Sequence, residues 1–247
     1  MLQVSRLSLR YPNGKLALAD FDIAVGAGEL VIVLGGNGSG KTTLLRCITR
    51  TVAPTAGSVR VNGTDMTRLA GERLRRARLE LALVSQHASL VRRRSVLANV
   101  ASGSLGRHGG VWTALGGLPA EELEAAHGHL AEVGLGELAG QRAGTLSGGQ
   151  AQRVAIARAL AQRPKVVLAD EPVASLDPEA AEDIMRLLRR LAGEDGLAVL
   201  CVLHQVELAY RYADRVVGIR DGRREFDLPR AELSRDAVRR LYLSEAA

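Results

Sequence analysis

A glycine-rich stretch with one lysine is the first part of the chain whose residue types could do chemistry. Residues 35–42, GGNGSGKT, fit the pattern G-x-x-x-x-G-K-[S/T]. Its glycines let backbone N–H groups wrap around phosphate oxygens, while Lys41 would reach the β- and γ-phosphates and Thr42 would offer Mg²⁺ a hydroxyl. The apolar run 30–34 precedes it and a predicted helix over 41–50 follows, which is the context this pattern requires. A glycine-rich turn before a core helix is the alternative. The predicted ATP contacts are Gly35, Gly36, Asn37, Gly38, Ser39, Gly40, Lys41, Thr42 and Thr43.

Two adjacent carboxylates, Asp170 and Glu171, follow the apolar run 166–169. Phosphoryl transfer needs a carboxylate for the metal near the phosphate loop and a group that orients the attacking water. We therefore expect Asp170 to bind Mg²⁺ through water and Glu171 to act as the base or the water-orienting group. A solvated turn is the simpler explanation for adjacent acids, but the phosphate loop upstream favours catalysis.

The stretch TLSGGQAQR, residues 145–153, contains no acid, histidine or thiol, yet it stands directly before a helical pattern. Ser147 and Gln150 have the S-x-x-Q spacing of a capping box. Gly148 and Gly149 leave the helix start open, where free N–H groups and the helix dipole favour an anion. Since one complete phosphate loop is already present, this second platform predicts contact with the γ-phosphate of ATP on a neighbouring copy.

The elements that must position these residues indicate an α/β fold. Residues 87–145 show no strand pattern, so a helical lobe is predicted between core segments 1–86 and 146–247 of one domain. The other expectations follow. Strands are predicted at 2–9, 21–25, 30–34, 57–63, 81–84, 166–169 and 197–203, turns at Pro12-Asn13-Gly14 and Asn62-Gly63, a hairpin about Asp221-Gly222, and helices at 41–50, within 119–135 and from Ser147 to Arg163.

Composition limits the class of protein. The chain has 247 residues and a net charge of +6, and no apolar run approaches the roughly 20 residues that span a bilayer. The N-terminus lacks the apolar core of a signal peptide. Cys47 and Cys201 lie in apolar segments, so we expect reduced core residues rather than a disulfide. The basic residues are almost all arginines without interleaved aromatics, which argues against a nucleic-acid partner.

The motifs in their order resemble the ABC ATPases. LSGGQ at 146–150, followed by VAIARAL, is similar to that family's signature motif, and the likeness covers essentially the whole chain. The resemblance assigns four more features, which comprise six residues. They are Tyr11, which would stack on adenine or simply pack; Gln86, which would sense Mg²⁺ and the membrane partner; the dimer-crossing D-loop Ser175-Leu176-Asp177; and His204, which would contact the γ-phosphate.

The resemblance implies a P-loop NTPase core of the ABC type, with an antiparallel β element, an inserted α-helical subdomain, and ATP with Mg²⁺. It also implies a head-to-tail homodimer in which each ATP lies between Lys41 of one copy and Ser147 of the other. Hydrolysis would drive import through integral membrane permease subunits, supplied by a periplasmic or surface solute-binding protein. The chain would then lie peripherally on the cytoplasmic face of the cell membrane.

Three longer segments resemble the phosphonate-import ATP-binding subunits in particular. They are SLVRRRSVLANV at 89–100, ADEPVASLDPE at 169–179 and LHQVELAYRYADRVVGIRDG at 203–222. A phosphonate or related phosphorus oxyanion is therefore the expected cargo. An importer ATPase for another small solute, or an accessory ABC ATPase of a phosphonate-degrading complex, are the alternatives.

The flanks of Gln86 depart from the family's common pattern, and a run of three arginines nearby is not explained by that pattern. Ser85 and His87 flank Gln86 where apolar or aromatic neighbours are frequent, which leaves the conformation of that loop open. Arg92-Arg93-Arg94 follow closely. They form either a solvated basic face or a contact with a transmembrane partner's loop or lipid headgroups.

Overall fold

Two β-sheets form the framework of the chain. The computed structural model describes residues 1–108 and 117–242. A four-stranded antiparallel sheet has the order β2-β1-β4-β5, and a six-stranded sheet has the order β10-β9-β3-β8-β7-β6. The strands are β1 Leu2–Arg10, β2 Leu16–Val25, β3 Leu30–Leu34, β4 Ala56–Val61, β5 Thr64–Asp65, β6 Leu81–Val84, β7 Val166–Asp170, β8 Ala198–Leu203, β9 Arg215–Arg220 and β10 Arg223–Pro229.

The described helices surround the larger sheet and build the lobe. They are α1 Lys41–Ile48, α2 Gly71–Ala77, α3 Val96–Ala101, α4 Ala120–Glu132, α5 Gly148–Ala161, α6 Pro178–Gly193, α7 Val206–Tyr212 and α8 Arg235–Tyr242. Short 3₁₀ turns occur at Met66–Arg68, Arg78–Glu80, Ser102–Arg107, Gly136–Leu138, Ala143–Thr145 and Arg230–Glu232. In the described residues, no helix is long and apolar enough to cross a membrane.

The parallel strands of the six-stranded sheet decide where the site lies. Every residue of β3 and β8 is buried, as expected for strands covered on both faces. β3 pairs in parallel with β8 and β9, and β7 pairs in parallel with β6 and β8. Parallel strands end at one edge of a sheet, so the glycine-rich loop after β3, the acids at the end of β7 and His204 after β8 meet there.

Several element boundaries differ from the sequence predictions for identifiable reasons. β2 begins at Leu16 rather than at residue 21, because Ala17, Leu18 and Ala19 are all buried and therefore lack the alternation of a half-exposed strand. α5 ends at Ala161, before the predicted Arg163. Arg163 has a φ of 55° and precedes proline, and both conditions are incompatible with continuing the helix.

The hairpin about Asp221 and Gly222 was predicted correctly and braces the phosphate loop. The Gly222 N–H donates to Ser39 O at 2.9 Å, and Gly222 O accepts from the Ala19 N–H at 2.9 Å. Gly222 has a φ of 74°, and a Cβ there would lie 2.7 Å from Ala17 O. Only glycine fits this contact. The turn after β9 can therefore pack directly against the glycine-rich loop.

The middle of the chain is helical in the described residues, with α3, α4 and α5 packed against one another. Within 87–108 and 117–145, the only extended pairing is one isolated bridge between Ser95 and Arg142. The proposed division at 86/87 and 145/146 stays a prediction. Cys47 and Cys201 are buried and free, as the sequence indicated.

Candidate nucleotide-binding site

A cavity of about 240 Å³ lies at the carboxyl edge of the parallel strands. It joins residues that are far apart in sequence, including the hairpin after β1, the glycine-rich loop and the ends of β7 and β8. The lining residues are Tyr11, Lys15, Ala17, Asn37, Gly38, Gly40, Lys41, Thr42, Thr43, Glu171 and His204. The structure therefore brings together most of the predicted ATP contacts with two of the predicted catalytic residues.

Lys41 is 5% exposed, and its ammonium group is held by the loop itself. Its Nζ donates to the carbonyl oxygens of Gly35 and Gly36, at 2.8 Å each. Burial lowers the pKa of Lys41, while the negative charges of Glu171 and Asp170 oppose that shift. An ammonium group with one donor left and a partly desolvated charge can bind a phosphate anion strongly.

Glycine is required in the loop for two different steric reasons. Gly40 has a φ of 112°, and a Cβ there would lie 2.7 Å from Ala17 O. At Gly35 a Cβ would lie 2.3 Å from Ile219 O. α1 begins directly after Gly40 with no side-chain cap, so N–H groups of its first turn are left for an anion.

Asp170 carries a buried carboxylate oxygen that lacks a partner. Among the described residues, no group forms a hydrogen bond to its Oδ1. Burial and the charge of Glu171 raise the pKa of Asp170. The nearby cations Arg46 and Lys41 and a hydrogen bond from Thr42 oppose that shift only in part. An orphaned carboxylate oxygen beside a threonine hydroxyl is a fitting donor set for a hard, oxygen-seeking cation such as Mg²⁺.

Glu171 is held in a conformation that costs free energy. Its φ is 51°, in the left-handed region, and its N–H donates to Val202 O at 3.1 Å. Its Oε1 is hydrogen-bonded to Nε2 of His204 at 2.6 Å. Left-handed backbone at a non-glycine residue costs about 1–3 kcal/mol and persists where the surroundings enforce it. The strained turn and the histidine together fix the carboxylate at the cavity wall.

The hairpin after β1 contributes the outer wall of the cavity. The Gly14 N–H donates to Tyr11 O at 2.9 Å, which closes the predicted turn. The Tyr11 hydroxyl lies 3.4 Å from Oγ1 of Thr43, and its ring also packs against the core. Lys15 also lines the cavity and was not predicted from the sequence. Its only signal there was its rarity, since lysine occurs at three positions.

Gln86 does not line the cavity; it is exposed in the loop after β6. Two side chains of α5 hold this loop, and neither was predicted from the sequence. Nε2 of Gln152, which is 2% exposed, donates to Ser85 O at 2.9 Å. Arg158 donates to the carbonyl oxygens of Ala88 and Ser89, at 2.8 and 3.0 Å. The loop is therefore attached to the helix that starts at residues 147–150, the SGGQ stretch.

A second cavity of about 320 Å³ surrounds the start of α5. Its lining includes Ser147, Gly148, Gly149, Gln150, Ser175, Leu176 and Asp177. The predicted capping box is present: the Gln150 N–H donates to Ser147 Oγ at 3.3 Å, and Gln150 Oε1 accepts from the Ser147 N–H at 3.0 Å. Because the Ser147 oxygen acts as acceptor in the cap, its hydroxyl hydrogen stays available for an anion.

Two residues of this second cavity also have packing roles that the sequence did not reveal. A Cβ at Gly149 would lie 2.9 Å from Cβ of Ala180, so glycine lets α5 approach α6 closely. Oδ1 of Asp177 accepts from the Ala180 N–H at 2.9 Å and caps α6. The two cavities share no lining residue, so within one chain the SGGQ stretch does not contribute to the wall of the phosphate cavity.

The fold and the phosphate cavity together define a nucleotide-binding ATPase of the P-loop class. Residues 18–174 match the model of the ABC transporter family, and the chain belongs to that family. Its ATP-binding cassette fold also has solved counterparts. One, a dimeric structure of the cassette MJ0796 in a post-hydrolysis state with ADP and Pi, is 32% identical with a TM-score of 0.80, covering 93% of this chain and 98% of that one.

Within the family, the chain is similar to import ATP-binding proteins for phosphorus compounds. It is 47% identical over 244 residues to the phosphonates import ATP-binding protein PhnC of Thiobacillus denitrificans, covering 99% of this chain and 93% of that protein. It is 46% identical over 242 residues to the phosphite import ATP-binding protein PxtA of Stutzerimonas stutzeri, covering 98% of this chain and 87% of that protein.

Proposed function

We propose that the chain hydrolyses ATP to energise import of a phosphonate or related phosphorus oxyanion through a separate membrane permease. The observation that carries the ATPase part is the single cavity in which Lys41, Glu171 and His204 meet. The cargo part is supported by the relatives, whose names specify phosphonates and phosphite. An importer of another solute, and an accessory ATPase of a phosphonate-degrading complex, are the alternatives.

The triphosphate of ATP would follow the glycine-rich loop. Its oxygens accept from the N–H groups of the loop and of the first turn of α1, and Lys41 contacts the β- and γ-phosphates. Tyr11 provides an aromatic face for adenine at the far wall. Thr42 and Asp170 would hold Mg²⁺, with Gln86 as a further candidate, and the ion would neutralise phosphate charge.

Hydrolysis in this cavity depends on positioning rather than on covalent chemistry. Glu171 holds the attacking water in line with the γ-phosphate and accepts its proton as the water attacks. His204 keeps the Glu171 carboxylate in place through their 2.6 Å hydrogen bond and lies close enough to the cavity to contact the γ-phosphate. The strained backbone of Glu171 suits a group whose direction must be fixed before ATP arrives.

A second copy would complete each site. Ser147 and the N–H groups of Gly148 and Gly149 would contact the γ-phosphate bound by the partner, and Ser175-Leu176-Asp177 would lie along the interface. The separation of the two cavities within one chain supports this arrangement, as does the dimeric state of the MJ0796 cassette. ATP would close the dimer, and hydrolysis would open it.

The permease would carry the cargo, and a periplasmic or surface solute-binding protein would deliver it. The ATPase would lie on the cytoplasmic face of the membrane. It has no part in recognising cargo, so its rate should be indifferent to free phosphonate and should rise only with the permease and a loaded binding protein. We propose no nucleic-acid partner.

The cargo can be tested on the partner solute-binding protein by calorimetry with alkylphosphonates, phosphite, phosphate and unrelated amino acids or sugars. We expect at least one phosphonate or phosphite to bind at least tenfold more tightly than any amino acid or sugar, because a site built for a phosphorus oxyanion leaves buried donors unpaired with other solutes. Tight binding of an amino acid or sugar, with no phosphorus oxyanion bound, would overturn the cargo proposal and leave the ATPase proposal standing.

Replacing His204 with alanine should slow ATP hydrolysis by about a hundredfold and change ATP affinity little. The side chain contributes one hydrogen bond that orients Glu171, whereas Lys41 and the loop supply most of the binding. Steady-state hydrolysis and equilibrium binding of a fluorescent ATP analogue measure the two effects separately. His127→Ala, which removes an exposed histidine of α4, is the matched control. Normal turnover in the His204 variant would contradict the assignment.

A further inference from the structure

Three side chains join the helix that follows His204 to the helix that follows the D-loop. Glu182 lies in the second turn of α6, and its carboxylate accepts hydrogen bonds from Nη1 of Arg211 and from the hydroxyl of Tyr212. The two donors are the last two residues of α7. We call Glu182, Arg211 and Tyr212 the α6–α7 clamp. One carboxylate thus holds the end of α7 through two hydrogen bonds.

The clamp is partly shielded from solvent. The Glu182 side chain is 25% exposed, whereas that of Arg211 is 61% exposed. Burial raises the pKa of Tyr212, and the hydrogen bond to Glu182 and its negative charge raise that pKa further. The phenol therefore stays protonated at neutral pH and can donate. The same end of α7 has a further contact, since Nη1 of Arg230 donates to Arg211 O at 2.9 Å.

Both helices of the clamp begin beside residues that the proposed reaction uses. α7 begins at Val206, two residues after His204, whose Nε2 lies 2.6 Å from Oε1 of Glu171. α6 begins directly after the D-loop, and Asp177 caps it by accepting from the Ala180 N–H. The clamp lines neither the nucleotide cavity nor the cavity around Ser147, so it can affect the reaction only through these helices.

Apolar packing alone would define the angle between α6 and α7 less well. The two helices pack together, with Leu208 and Ala209 of α7 and Ile184 and Met185 of α6 buried. Apolar burial is non-directional, whereas a hydrogen bond requires a narrow range of distance and angle. A carboxylate that accepts from two adjacent residues therefore restricts both rotation and sliding of α7 on α6.

We propose that Glu182 is a positioning residue for ATP hydrolysis, an inference that rests on the proposed role of His204. By holding the end of α7 against α6, Glu182 fixes the direction in which His204 meets Glu171 and the γ-phosphate. Because α6 starts at the D-loop, the same contact links His204 to the segment proposed to lie along the dimer interface. Movement of the D-loop as the dimer closes would then also move the histidine.

A pair of tyrosine variants tests the clamp with little disturbance of the fold. Tyr212→Phe removes the hydroxyl that donates to Glu182 and keeps the ring. It should lower kcat about fivefold at an unchanged KM for ATP, because a small displacement of a catalytic group slows the chemical step while Lys41 and its loop still bind ATP. Tyr210→Phe is the matched control on the same helix, since the buried Tyr210 hydroxyl has no hydrogen-bond partner among the described residues. Equal kcat values in the two variants would contradict the proposal.

A double-variant cycle then shows whether Glu182 acts through His204. Glu182→Ala removes the acceptor of both hydrogen bonds and should lower kcat about tenfold, whereas Glu182→Gln keeps an acceptor oxygen and should recover part of that loss. His204→Ala alone should slow hydrolysis about a hundredfold. Adding Glu182→Ala to His204→Ala should cause little further loss if the two residues act as one unit. Independent effects would multiply to about a thousandfold, and that result would overturn the proposal.

Thermal unfolding of each variant separates loss of folding from loss of positioning. If Glu182→Ala does not fold, Tyr212→Phe takes its place in the cycle with His204→Ala. Failure of the ATPase proposal gives a different result, because His204→Ala alone would then hydrolyse ATP at the normal rate. Failure of the present proposal leaves that variant slow and makes its loss independent of Glu182.

Discussion

Replacing Glu171 with glutamine should leave ATP binding nearly unchanged and slow hydrolysis by about a thousandfold. Glutamine has almost the same shape and can adopt the same backbone conformation, so the walls of the cavity survive. It cannot accept the proton of the attacking water, and it cannot orient that water as a carboxylate does. Because ATP would then stay bound, the dimer that it closes should accumulate.

Two measurements check this expectation. A single-turnover assay gives the chemical step, and light scattering with and without MgATP gives the mass of the particle. Glu194→Gln makes the same chemical change at an exposed position at the end of α6 and should behave as the wild type. Near-normal turnover in the Glu171 variant, or a monomer at high protein concentration with MgATP, would count against the assignment.

The phosphate loop and the buried strands were predictable because their signals are local. A loop whose glycines and lysine have one fixed spacing carries its chemistry in eight residues. A continuous apolar run such as β3 predicts a strand that is buried on both faces, whichever strands and helices pack against it. The hairpin at Asp221-Gly222 was also predictable, since that dipeptide favours a tight turn between strands.

Features that depend on distant contacts were missed. The buried Gln152 holds Ser85, a contact across 67 positions, and nothing in its own neighbourhood indicates that partner. Gly149 was interpreted only as an open helix start, whereas it also allows close packing on Ala180. The beginning of β2 at Leu16 was missed because the hairpin at Gly222 covers its second face. Tertiary packing determines each of these positions.

The functional predictions also differ according to whether they depend on local sequence or on contacts between distant residues. Asp170 ends the strand β7 and Glu171 follows it, so their position beside the phosphate loop is a consequence of the parallel sheet. The hydrogen bond between Glu171 and His204 joins two strand ends and was not predicted, because the family resemblance gave His204 only a contact with the γ-phosphate. Gln86 lies away from the cavity in a single chain, so its role depends on a closed, nucleotide-bound dimer that remains a proposal.

Ser147→Arg should abolish hydrolysis while each chain still binds ATP. The substitution places a bulky cation at the start of α5, where the partner's γ-phosphate should lie, and spares the chain's own Lys41 loop. It also removes the cap, which costs about 1 kcal/mol of helix stability, so thermal unfolding must be followed alongside activity. Thr145→Arg adds the same side chain two residues away, outside the cavity, and should stay active.

Mixing the Ser147→Arg variant with the Lys41→Ala variant tests more directly whether each ATP site is shared between two chains. Lys41→Ala leaves the phosphate charge uncompensated and should itself lose ATP binding and turnover. In a mixed dimer, one site would combine both defects, and the other would keep an intact Lys41 and an intact Ser147. Equal amounts that exchange freely give about half mixed dimers, so about a quarter of wild-type activity should return if the sites act independently. A site contained within one chain predicts no recovery, and normal hydrolysis by Ser147→Arg alone would show that the SGGQ stretch is not part of the ATP site.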